Sequence, residues 1–421
     1  MMNHITIMYT SALAHVPAPN ERRLAVHLHP AAERAVRHGH PWVFDQSIRQ
    51  VSFVGEAGDL AVIFDRKRRF LAIGLYDPAS PLRVRVLQAG QSAPIDGDWF
   101  ARRVAAAIAH RAPLASAQTT GYRLIHGEND GLPGLVVDRY AQTLVLKLYA
   151  AGWVRHLRVV IPALLAHFPR TRVVLRLSRA VQAQSAALFG LQDGQVLHGQ
   201  ADVGEVVFRE NGLLFAADVR QGHKTGFYLD QRENRARVEA LAAGRDVLNV
   251  FAYTGGFSLY AARGGARRVV SVDLNPLALA GAEANFARNQ DTLTVARARH
   301  EMLVGDAFAV LGELGAAGRV FDMVILDPPA FAQRQADVAG ALAAYRRLAQ
   351  LGAALLPASG ILVSASCSSR VPASAFWAAV DEGASLAGKR LQEVDRTTHP
   401  LDHPISFPEG AYLKCLFARA V

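Results

Sequence analysis

The sequence predicts an α/β protein whose second half is a doubly wound, mostly parallel sheet, preceded by two smaller segments. Beyond residue 245, strand-like apolar runs alternate with helical stretches, a pattern typical of a parallel sheet covered on both faces. Short apolar runs separated by Gly, Pro and Asp fill residues 24–87 and predict a small barrel or sandwich. The length of 421 residues, 51% of them apolar, allows about two to four domains with real cores and excludes a disordered chain.

Composition and turn signals divide the chain into four predicted parts. They are a flexible N-terminal tail (1–23), a β-rich segment (24–97), an α+β segment (98–203) and the α/β segment (204–421). The α+β segment opens with an amphipathic helix and contains a hairpin turn at 131–134. The α/β segment opens with a hairpin at Asn211–Gly212, which is the strongest short-range hairpin signal.

The net charge of +10 is concentrated in the first half of the chain. Residues 1–97 carry +3, residues 98–203 carry +6 and residues 204–421 carry +1. Because 41 of the 46 cations are arginine, the total partly reflects composition. The distribution, however, predicts a front half that binds a polyanion and a charge-balanced half that performs chemistry. The densest basic run is either a phosphate contact or a solvated loop between two strands. It consists of Arg66, Lys67, Arg68 and Arg69.

Cysteine count and hydropathy exclude several classes of protein. The two cysteines, Cys367 and Cys415, cannot build a disulfide framework or a four-thiolate zinc site. We therefore expect a reduced, cytoplasmic compartment and no metal centre. The longest weakly apolar run, 351–366, is short and contains Pro357 and Gly360, so the sequence predicts no membrane-spanning segment.

The first strand, turn and helix of the α/β segment form a candidate cofactor site, because doubly wound sheets bind ligands at the carboxyl ends of their strands. Gly255 and Gly256 follow the strand and allow a ligand to approach the backbone where a helix begins. They do not complete the G-x-G-x-x-G fingerprint. The next strand ends in Asp273, about 20 residues further on, where a carboxylate accepts hydrogen bonds from ribose hydroxyls. Together these signals predict an adenosine-containing cofactor.

Two further acids follow strands of the same sheet. Asp306 comes after the third strand, where it either accepts the amino group of adenine or caps a helix. Asp327 ends a buried strand, and Pro328 and Pro329 fix a rigid turn after it. With Phe331 as a flat apolar surface, this motif predicts a site that holds a planar heterocycle by hydrogen bonding and stacking.

Cys367 is predicted at the same edge of the sheet, one βαβ unit after Asp327 and among small hydroxyl residues. A lone cysteine is usually a small buried hydrophobe. This placement nevertheless makes Cys367 a candidate nucleophile. Cys415 lies within a strand-like run and is predicted to pack in the core.

These motifs resemble those of a known family. The α/β segment resembles the Rossmann-like domain of class I S-adenosylmethionine-dependent methyltransferases. The whole chain is similar to the bacterial 23S rRNA cytosine-C5 methyltransferases that carry an N-terminal PUA domain. The matching stretches are GHPWVFDQSI, DGLPGLVVDRY, GHKTGFYLDQRENR, NVFAYTGGFS, VVSVDLNP, LDPPAFA, SASCSS and DHPISFPEGAYLK. The resemblance implies a PUA-like RNA-binding β-barrel, a small α+β middle domain, S-adenosyl-L-methionine as cofactor and 23S rRNA as partner.

The resemblance also implies roles for individual residues. Cys367 is implied as the nucleophile and Asp327 as the contact to the Watson–Crick edge of the target base. Asp273 is implied to bind the ribose of the cofactor, Asp306 its adenine, and Gln231 another part of it. The methionine end of the cofactor is implied to contact Asn249, Phe251, Tyr253, Thr254, Gly255 and Gly256. The other residues implied in substrate binding are Lys224, Arg232, Pro328, Pro329, Phe331, Arg66, Lys67, Arg68 and Arg69.

Two other functions fit the same residues. A methyltransferase acting on the amine of adenine N6 or guanine N2 also uses an Asp-Pro-Pro-aromatic motif, but it does not need Cys367. A non-catalytic RNA-binding or ribosome-assembly protein is the second alternative, although the intact set of Asp273, Asp306, Asp327 and Cys367 argues against it. The sequence leaves open which nucleotide is modified and the oligomeric state, a homodimer included.

Overall fold

The computed structural model describes residues 11–115, 118–202, 204–332 and 334–421, so residues 1–10 of the predicted tail lie outside the described residues. The chain divides into two compact units. The first comprises the residues up to Gly212 together with Ala217–Leu229 and Leu401–Phe407. The second comprises Leu213–Ala216, Asp230–Pro400 and Pro408–Val421.

The first unit contains two sheets and several short helices. Its strands are β1 (Leu24–Leu28), β2 (Trp42–Phe44), β3 (Ile48–Val51), β4 (Leu60–Phe64), β5 (Phe70–Tyr76), β6 (Leu82–Ala89), β7 (Gly121–His126), β8 (Leu135–Tyr140), β9 (Thr143–Leu148), β10 (Arg172–Leu177) and β11 (Val196–His198). Its helices are α1 (Pro30–Arg37), α2 (Gly97–His110), α3 (Ala112–Ala115), α4 (Leu157–Leu165) and α5 (Arg179–Gln182). Strands β12 (Val206–Glu210) and β13 (Leu213–Ala217) lie on either side of the predicted Asn211–Gly212 turn.

Strands β1 to β6 form a mixed sheet in the order β2-β6-β5-β4-β1-β3. β1 and β4 are parallel, and the other neighbours are antiparallel. In β1, Leu24, Val26 and Leu28 are buried and alternate with more exposed residues, as expected for a strand with one face on a core. The β-rich prediction for this part of the chain is therefore confirmed.

Strands β7 to β11 form the second sheet, in the order β11-β10-β9-β8-β7. The predicted turn at 131–134 lies between β7 and β8, which are antiparallel. Helix α2 begins after Asp96, whose carboxylate accepts a hydrogen bond from the N–H of Trp99 at 2.9 Å and so satisfies a free donor of the first turn. Phe100 and Val104 on its apolar face are buried in the core of this sheet.

The predicted tail is wrong for the part that the structure describes. Leu13 and Val16 are each 1% exposed and belong to the core of the first unit. The guanidinium of Arg158 donates to the carbonyl oxygen of Leu13 at 2.6 Å. Two apolar residues in a stretch rich in Ala and Pro have no periodicity, so the sequence carries no signal of their burial.

The second unit alternates strands and helices, as predicted. Its strands are β14 (Asp246–Val250), β15 (Arg268–Asp273), β16 (Arg299–Val304), β17 (Met323–Leu326), β18 (Ile361–Ser366), β19 (Leu391–Thr397) and β20 (Lys414–Ala420). Its helices are α6 (Arg232–Leu241), α7 (Gly256–Arg263), α8 (Pro276–Arg288), α9 (Leu293–Arg297), α10 (Ala307–Ala316), α11 (Val338–Ala354) and α12 (Ala373–Leu386). Within the described residues, none of the helices has both the length and the apolar character needed to cross a membrane.

The seven strands of the second unit form one sheet in the order β16-β15-β14-β17-β18-β20-β19. The five strands from β16 to β18 are parallel, whereas β20 runs antiparallel to both β18 and β19. The chain order reverses between β14 and β17, and in sheets of this kind a ligand crevice lies outside the carboxyl ends of the strands at that point. The candidate residues of the sequence follow these strand ends.

Candidate active site

The turn after β14 has an uncommon backbone conformation. Phe251, Tyr253 and Gly255 have φ angles of 63°, 47° and 75°, in the left-handed region that side chains rarely adopt. At Gly255 an added Cβ would also lie 2.8 Å from the Cβ of Ala282, so both conformation and space require glycine. The turn leads directly into α7, which begins at Gly256. Clustered residues in such conformations are a feature of ligand-binding turns.

Asp273, the last residue of β15, holds this turn in place. Its Oδ2 atom accepts a hydrogen bond from the N–H of Tyr253 at 2.8 Å, and its Oδ1 atom accepts one from the N–H of Asn275 at 2.9 Å. The carboxylate therefore joins the turns that follow two neighbouring strands. Since a carboxylate accepts about four hydrogen bonds, these two contacts leave capacity for ribose hydroxyls.

Asn249 is buried in β14 and belongs to a series of hydrogen-bonded polar side chains. Its Nδ2 atom donates to Oγ of Ser258 at 2.8 Å, and Ser258 is hydrogen-bonded to Ser271 at 2.7 Å. Ser271 contacts Nε2 of His300, and burial lowers the pKa of that histidine to about 4, so the ring is neutral at pH 7. Within the described residues, Oδ1 of Asn249 is buried without a hydrogen-bond partner. Such an acceptor is costly unless a ligand or a water donates to it.

Asp306 begins α10 and serves as its cap. Its Oδ1 atom accepts hydrogen bonds from the N–H groups of Phe308 and Ala309 at 3.0 and 3.1 Å. The helix-cap interpretation is thus confirmed, and the adenine contact stays a prediction. Leu274, next to Asp273, is 72% exposed and offers an apolar surface beside the proposed ribose site. Sequence reasoning missed it, because an isolated leucine after a strand has no periodic signal.

Asp327 follows β17 and is held by an amide. Its Oδ1 atom accepts a hydrogen bond from Nε2 of Gln231 at 2.8 Å, and Oε1 of Gln231 accepts one from Nδ2 of Asn234 at 2.5 Å. The family resemblance implies a cofactor contact for Gln231, whereas in the structure its side-chain nitrogen donates to the acid. Asn234 was missed because a polar residue in the first turn of a helix is common and carries no specific signal.

Cys367 follows β18, the neighbour of β17, and is half-buried. In the register of the two strands Leu326 lies opposite Ser364, so Cys367 comes two residues beyond the position opposite Asp327. The acid and the thiol therefore emerge at the same edge of the sheet, as the sequence predicts.

Lys414, the first residue of β20, lies beneath the turn that carries Cys367. Its Nζ atom donates to the carbonyl oxygens of Ser368 and Val371 at 2.7 and 2.8 Å. Burial lowers the pKa of Lys414 to about 8, and the attraction of Cys367 for the ammonium group opposes that shift. A buried cation is therefore part of the surroundings of the thiol.

Tyr345 on α11 is a second buried group at this edge. Its hydroxyl is 2.9 Å from Oγ of Ser366. Burial raises the pKa of Tyr345, and the nearby charges of Cys367 and Asp327 raise it further. The ring of Phe331 lies 5.1 Å from that of Tyr345, measured between centroids. Phe331 therefore packs against Tyr345, which in turn lies close enough to Cys367 and Asp327 to interact with both electrostatically.

The remaining cysteine and the two prolines have simple placements. Cys415 is fully buried, and burial raises the pKa of its thiol well above the usual value, so it stays protonated. This confirms the prediction that it packs in the core. Pro328 is buried and Pro329 is exposed.

Two of the predicted substrate residues have partners within the chain. The side chain of Arg232 is 1% exposed and donates to Glu233, and the substrate contact implied for it stays a prediction. Lys224 belongs to the first unit, where its Nζ atom lies 4.5 Å from the centroid of the Tyr228 ring.

The basic run at 66–69 lies between β4 and β5 in the first unit. All four side chains are exposed. Arg66 and Arg69 pair with Glu33 and Asp65. This geometry is that of a solvated loop between two strands, and phosphate binding by the run stays a prediction.

Comparison with known proteins identifies the class of both parts of the chain. Residues 195–419 match the family model described as S-adenosylmethionine-dependent methyltransferase, and residues 26–89 match that of the PUA-like domain. The protein is therefore an S-adenosylmethionine-dependent methyltransferase with an N-terminal PUA-like domain, and S-adenosylmethionine is its cofactor. The orphaned oxygen of Asn249, the Gly255 turn and the acid at the end of β15 fit that cofactor.

Curated relatives narrow the class to a family. The chain is 50% identical over 408 residues to a protein named ribosomal RNA large subunit methyltransferase from Deinococcus radiodurans, a match that covers 96% of this chain and 99% of the relative. It is 39% identical over 401 residues to ribosomal RNA large subunit methyltransferase I from Tolumonas auensis, with 94% and 99% covered. The chain thus belongs to the family of these PUA-containing large-subunit methyltransferases.

Solved structures share the fold at lower identity. A chain described as a SAM-dependent methyltransferase from Streptococcus mutans is 21% identical with a TM-score of 0.79. A methyltransferase complexed with S-adenosylhomocysteine is also 21% identical, with a TM-score of 0.78. Each match covers 94% of this chain and 99% of the other. At this identity the likeness establishes the fold alone.

Proposed function

We propose that this protein methylates C5 of a cytosine in large-subunit (23S) ribosomal RNA through a covalent bond between Cys367 and C6 of the base. The observation that carries the proposal is that Asp327 and Cys367 follow neighbouring parallel strands and so lie at the same edge of the sheet. An enzyme that methylates a base amine needs the acid but has no use for the thiol. The names of the relatives and the basic first half of this chain support RNA as the substrate.

The chemistry explains why both groups are needed. Cytosine C5 is too weak a nucleophile to attack a sulfonium methyl group, which S-adenosylmethionine supplies. The Cys367 thiolate adds to C6 and gives C5 the character of an enamine. Asp327 accepts a hydrogen bond from the amino group on the Watson–Crick edge and orients the ring for this addition. After C5 is methylated, the C5 proton leaves to water, the bond from sulfur to C6 breaks, and the ring regains its aromaticity.

The first unit supplies RNA binding in this proposal. Flipping the target base out of its stack costs about a few kcal/mol, which phosphate contacts elsewhere offset. We assign that role to the PUA-like domain within 24–97, including the exposed run at 66–69, and to the α+β domain at 98–203. In this proposal the flipped base enters a pocket at the strand ends of the methyltransferase domain. The walls of that pocket are formed by Pro328, Pro329 and Phe331.

The proposal is tested by mapping the product. We expect purified protein, S-adenosylmethionine and unmodified 23S rRNA to give 5-methylcytosine at one position, detected by nuclease digestion and mass spectrometry. Methyl groups on adenine N6 or guanine N2 would favour the base-amine alternative. Absence of any transfer, together with absence of cofactor binding, would favour a non-catalytic RNA-binding protein.

Replacing Asp273 with alanine should weaken cofactor binding strongly. The change removes the two hydrogen bonds that fix the turn after β14 and the proposed contact to ribose. Hydrogen bonds to charged groups contribute about 1.5–3 kcal/mol each. We expect the affinity for S-adenosylhomocysteine, measured by calorimetry, to fall at least about a hundredfold. Asp381→Ala, which removes an exposed acid on α12, is the matched control, and equal affinities of the two variants would refute the assignment.

A further inference from the structure

Four side chains of the second unit form a continuous hydrogen-bonded chain that ends on Asp327. Oγ1 of Thr397, at the end of β19, donates to Oδ1 of Asn234. Nδ2 of Asn234 donates to Oε1 of Gln231 at 2.5 Å, and Nε2 of Gln231 donates to Oδ1 of Asp327 at 2.8 Å. Gln231 and Asn234 are three residues apart at the start of α6, a spacing that places both on one helix face.

The direction of this chain is fixed by its chemistry. A carboxylate only accepts hydrogen bonds, so Gln231 must turn its NH2 group toward Asp327. Its carbonyl then faces Asn234, whose own carbonyl faces the Thr397 hydroxyl. The opposite orientation would set an amide carbonyl against the carboxylate and would require Asp327 to be protonated. Gln231 and Asn234 are only 3% and 1% exposed, so each depends on these partners for its hydrogen bonds.

We propose that Thr397, Asn234 and Gln231 form a positioning relay that keeps Asp327 a hydrogen-bond acceptor and thereby selects a target base with an amino group on its Watson–Crick edge. The inference rests on the proposed function, in which Asp327 contacts that edge. Cytosine presents its N4 amino group as a donor, whereas uracil presents the acceptor O4 at the same place. Uracil also carries a donor at N3, so the selection depends on the relay holding Asp327 against position 4. There the carboxylate accepts from the amino group of cytosine and repels O4 of uracil, although a thiolate adds to C6 of either ring.

Other titratable groups near Asp327 do not produce the same effect. Tyr345 on α11 and Cys415 on β20 interact electrostatically with Asp327. Burial raises the pKa of both groups, so both are uncharged at neutral pH. Cys367, on the turn after β18, is present in the variants and in the wild type alike, so a comparison between them isolates the change at the acid.

The decisive variant is Gln231→Glu, which keeps the size of the side chain and replaces the donor with a second carboxylate. Neighbouring carboxylates share a proton, so we expect the acidic limb of the kcat/KM profile to move up by about one pH unit or more. The substrates are 23S rRNA transcripts with cytidine or uridine at the mapped position. We expect the preference for cytidine to fall at least about tenfold, since a protonated acid can donate to O4. Gln392→Glu, on the exposed face of β19, is the control with the same charge change and should leave both quantities unchanged.

A second pair of variants guards against misfolding of Gln231→Glu. Thr397→Val removes the hydroxyl that starts the relay. It should shift the acidic limb and the cytidine preference in the same direction as Gln231→Glu, but by smaller amounts. Thr397→Ser keeps a hydroxyl and should behave as the wild type. An unchanged acidic limb and an unchanged cytidine preference in Thr397→Val and in folded Gln231→Glu would overturn the relay. A wild-type protein that makes no 5-methylcytosine would overturn the proposed function instead. In that case the pH profiles of the wild type and the variants are compared on the base that the protein does methylate, and this comparison still tests the relay.

Discussion

A variant with alanine in place of Cys367 should lose methyl transfer by at least about a thousandfold, as removal of a catalytic nucleophile commonly does. The thiol lies at the end of β18, beside the strand that carries Asp327. Without it, no covalent bond to C6 forms and C5 stays unreactive. The residues proposed to bind the cofactor follow other strands, so binding of S-adenosylhomocysteine should persist. The measurement is transfer of a labelled methyl group to 23S rRNA, with calorimetry as the check on folding.

Cys415→Ala is the matched control, because it removes the other sulfhydryl of the chain. Cys415 is fully buried and its raised pKa keeps it protonated. The change leaves a small cavity and should cost about 1 kcal/mol of stability without removing activity. RNA that contains 5-fluorocytidine sharpens the comparison, because fluorine at C5 cannot leave as a proton does. We expect a covalent adduct, stable on a denaturing gel, with the wild type and Cys415→Ala but none with Cys367→Ala.

The outcome separates the competing functions. Retained turnover in Cys367→Ala would refute the nucleophile and would favour methylation of a base amine, for which Asp327 suffices. Loss of turnover together with loss of cofactor binding would show only that the variant is misfolded. Cys367→Ser, which keeps the size and polarity of the side chain, then provides the folded variant on which the same assay is repeated.

Much of this site could be predicted from the sequence, because parallel sheets place chemistry at strand ends that local pattern reveals. Asp273, Asp327 and Cys367 each follow a run of buried residues, and a common edge follows from the alternation of strands and helices. The turn at Gly255 could also be predicted, since glycine is favoured where the backbone enters the left-handed region. These signals all lie within a few residues of the group concerned.

The groups that tune the acid and the thiol could not be predicted, because they arrive from distant parts of the chain. Thr397 and its partner Asn234 are separated by 163 residues in the sequence, and Lys414 and its partner Ser368 by 46 residues. Both lie on the antiparallel strands at the end of the sheet, whose pairing no local pattern specifies. The burial of Arg232 could not be predicted either, because a charged residue at a helix start is normally exposed.

Replacing Lys414 with methionine should make Cys367 a poorer nucleophile while the chain still folds. The ammonium group of Lys414 donates to the carbonyls of Ser368 and Val371, on the turn that carries the thiol. A neighbouring cation stabilises a thiolate and lowers the pKa of the thiol. Loss of the charge should raise the pKa of Cys367 and so lower its thiolate fraction at neutral pH.

The pKa of Cys367 is measured from the rate of alkylation by iodoacetamide as a function of pH. Lys414→Met should shift that profile to higher pH and slow formation of the 5-fluorocytidine adduct about tenfold at pH 7. Lys414→Arg keeps the positive charge and should restore most of the rate. Lys389→Met, which removes a half-buried lysine after α12, is the control and should behave as the wild type. An alkylation profile that is identical in Lys414→Met and the wild type would refute the electrostatic role.

The pH dependence distinguishes this role from a purely structural one. Burial lowers the pKa of Lys414 from 10.5 to about 8, so the folded chain loses this charge above about pH 8. The difference in adduct formation between wild type and Lys414→Met should therefore shrink as the pH rises past 8. Between pH 8 and 10.5 the unfolded chain binds more protons at this site, so the wild type's free energy of unfolding, relative to Lys414→Met, should rise with pH. Below pH 8 the ammonium group of Lys414 is charged in the folded chain, so its burial lowers the free energy of unfolding by the full amount. The same charge favours the Cys367 thiolate, and this combination is expected of a group that serves the reaction and not the fold.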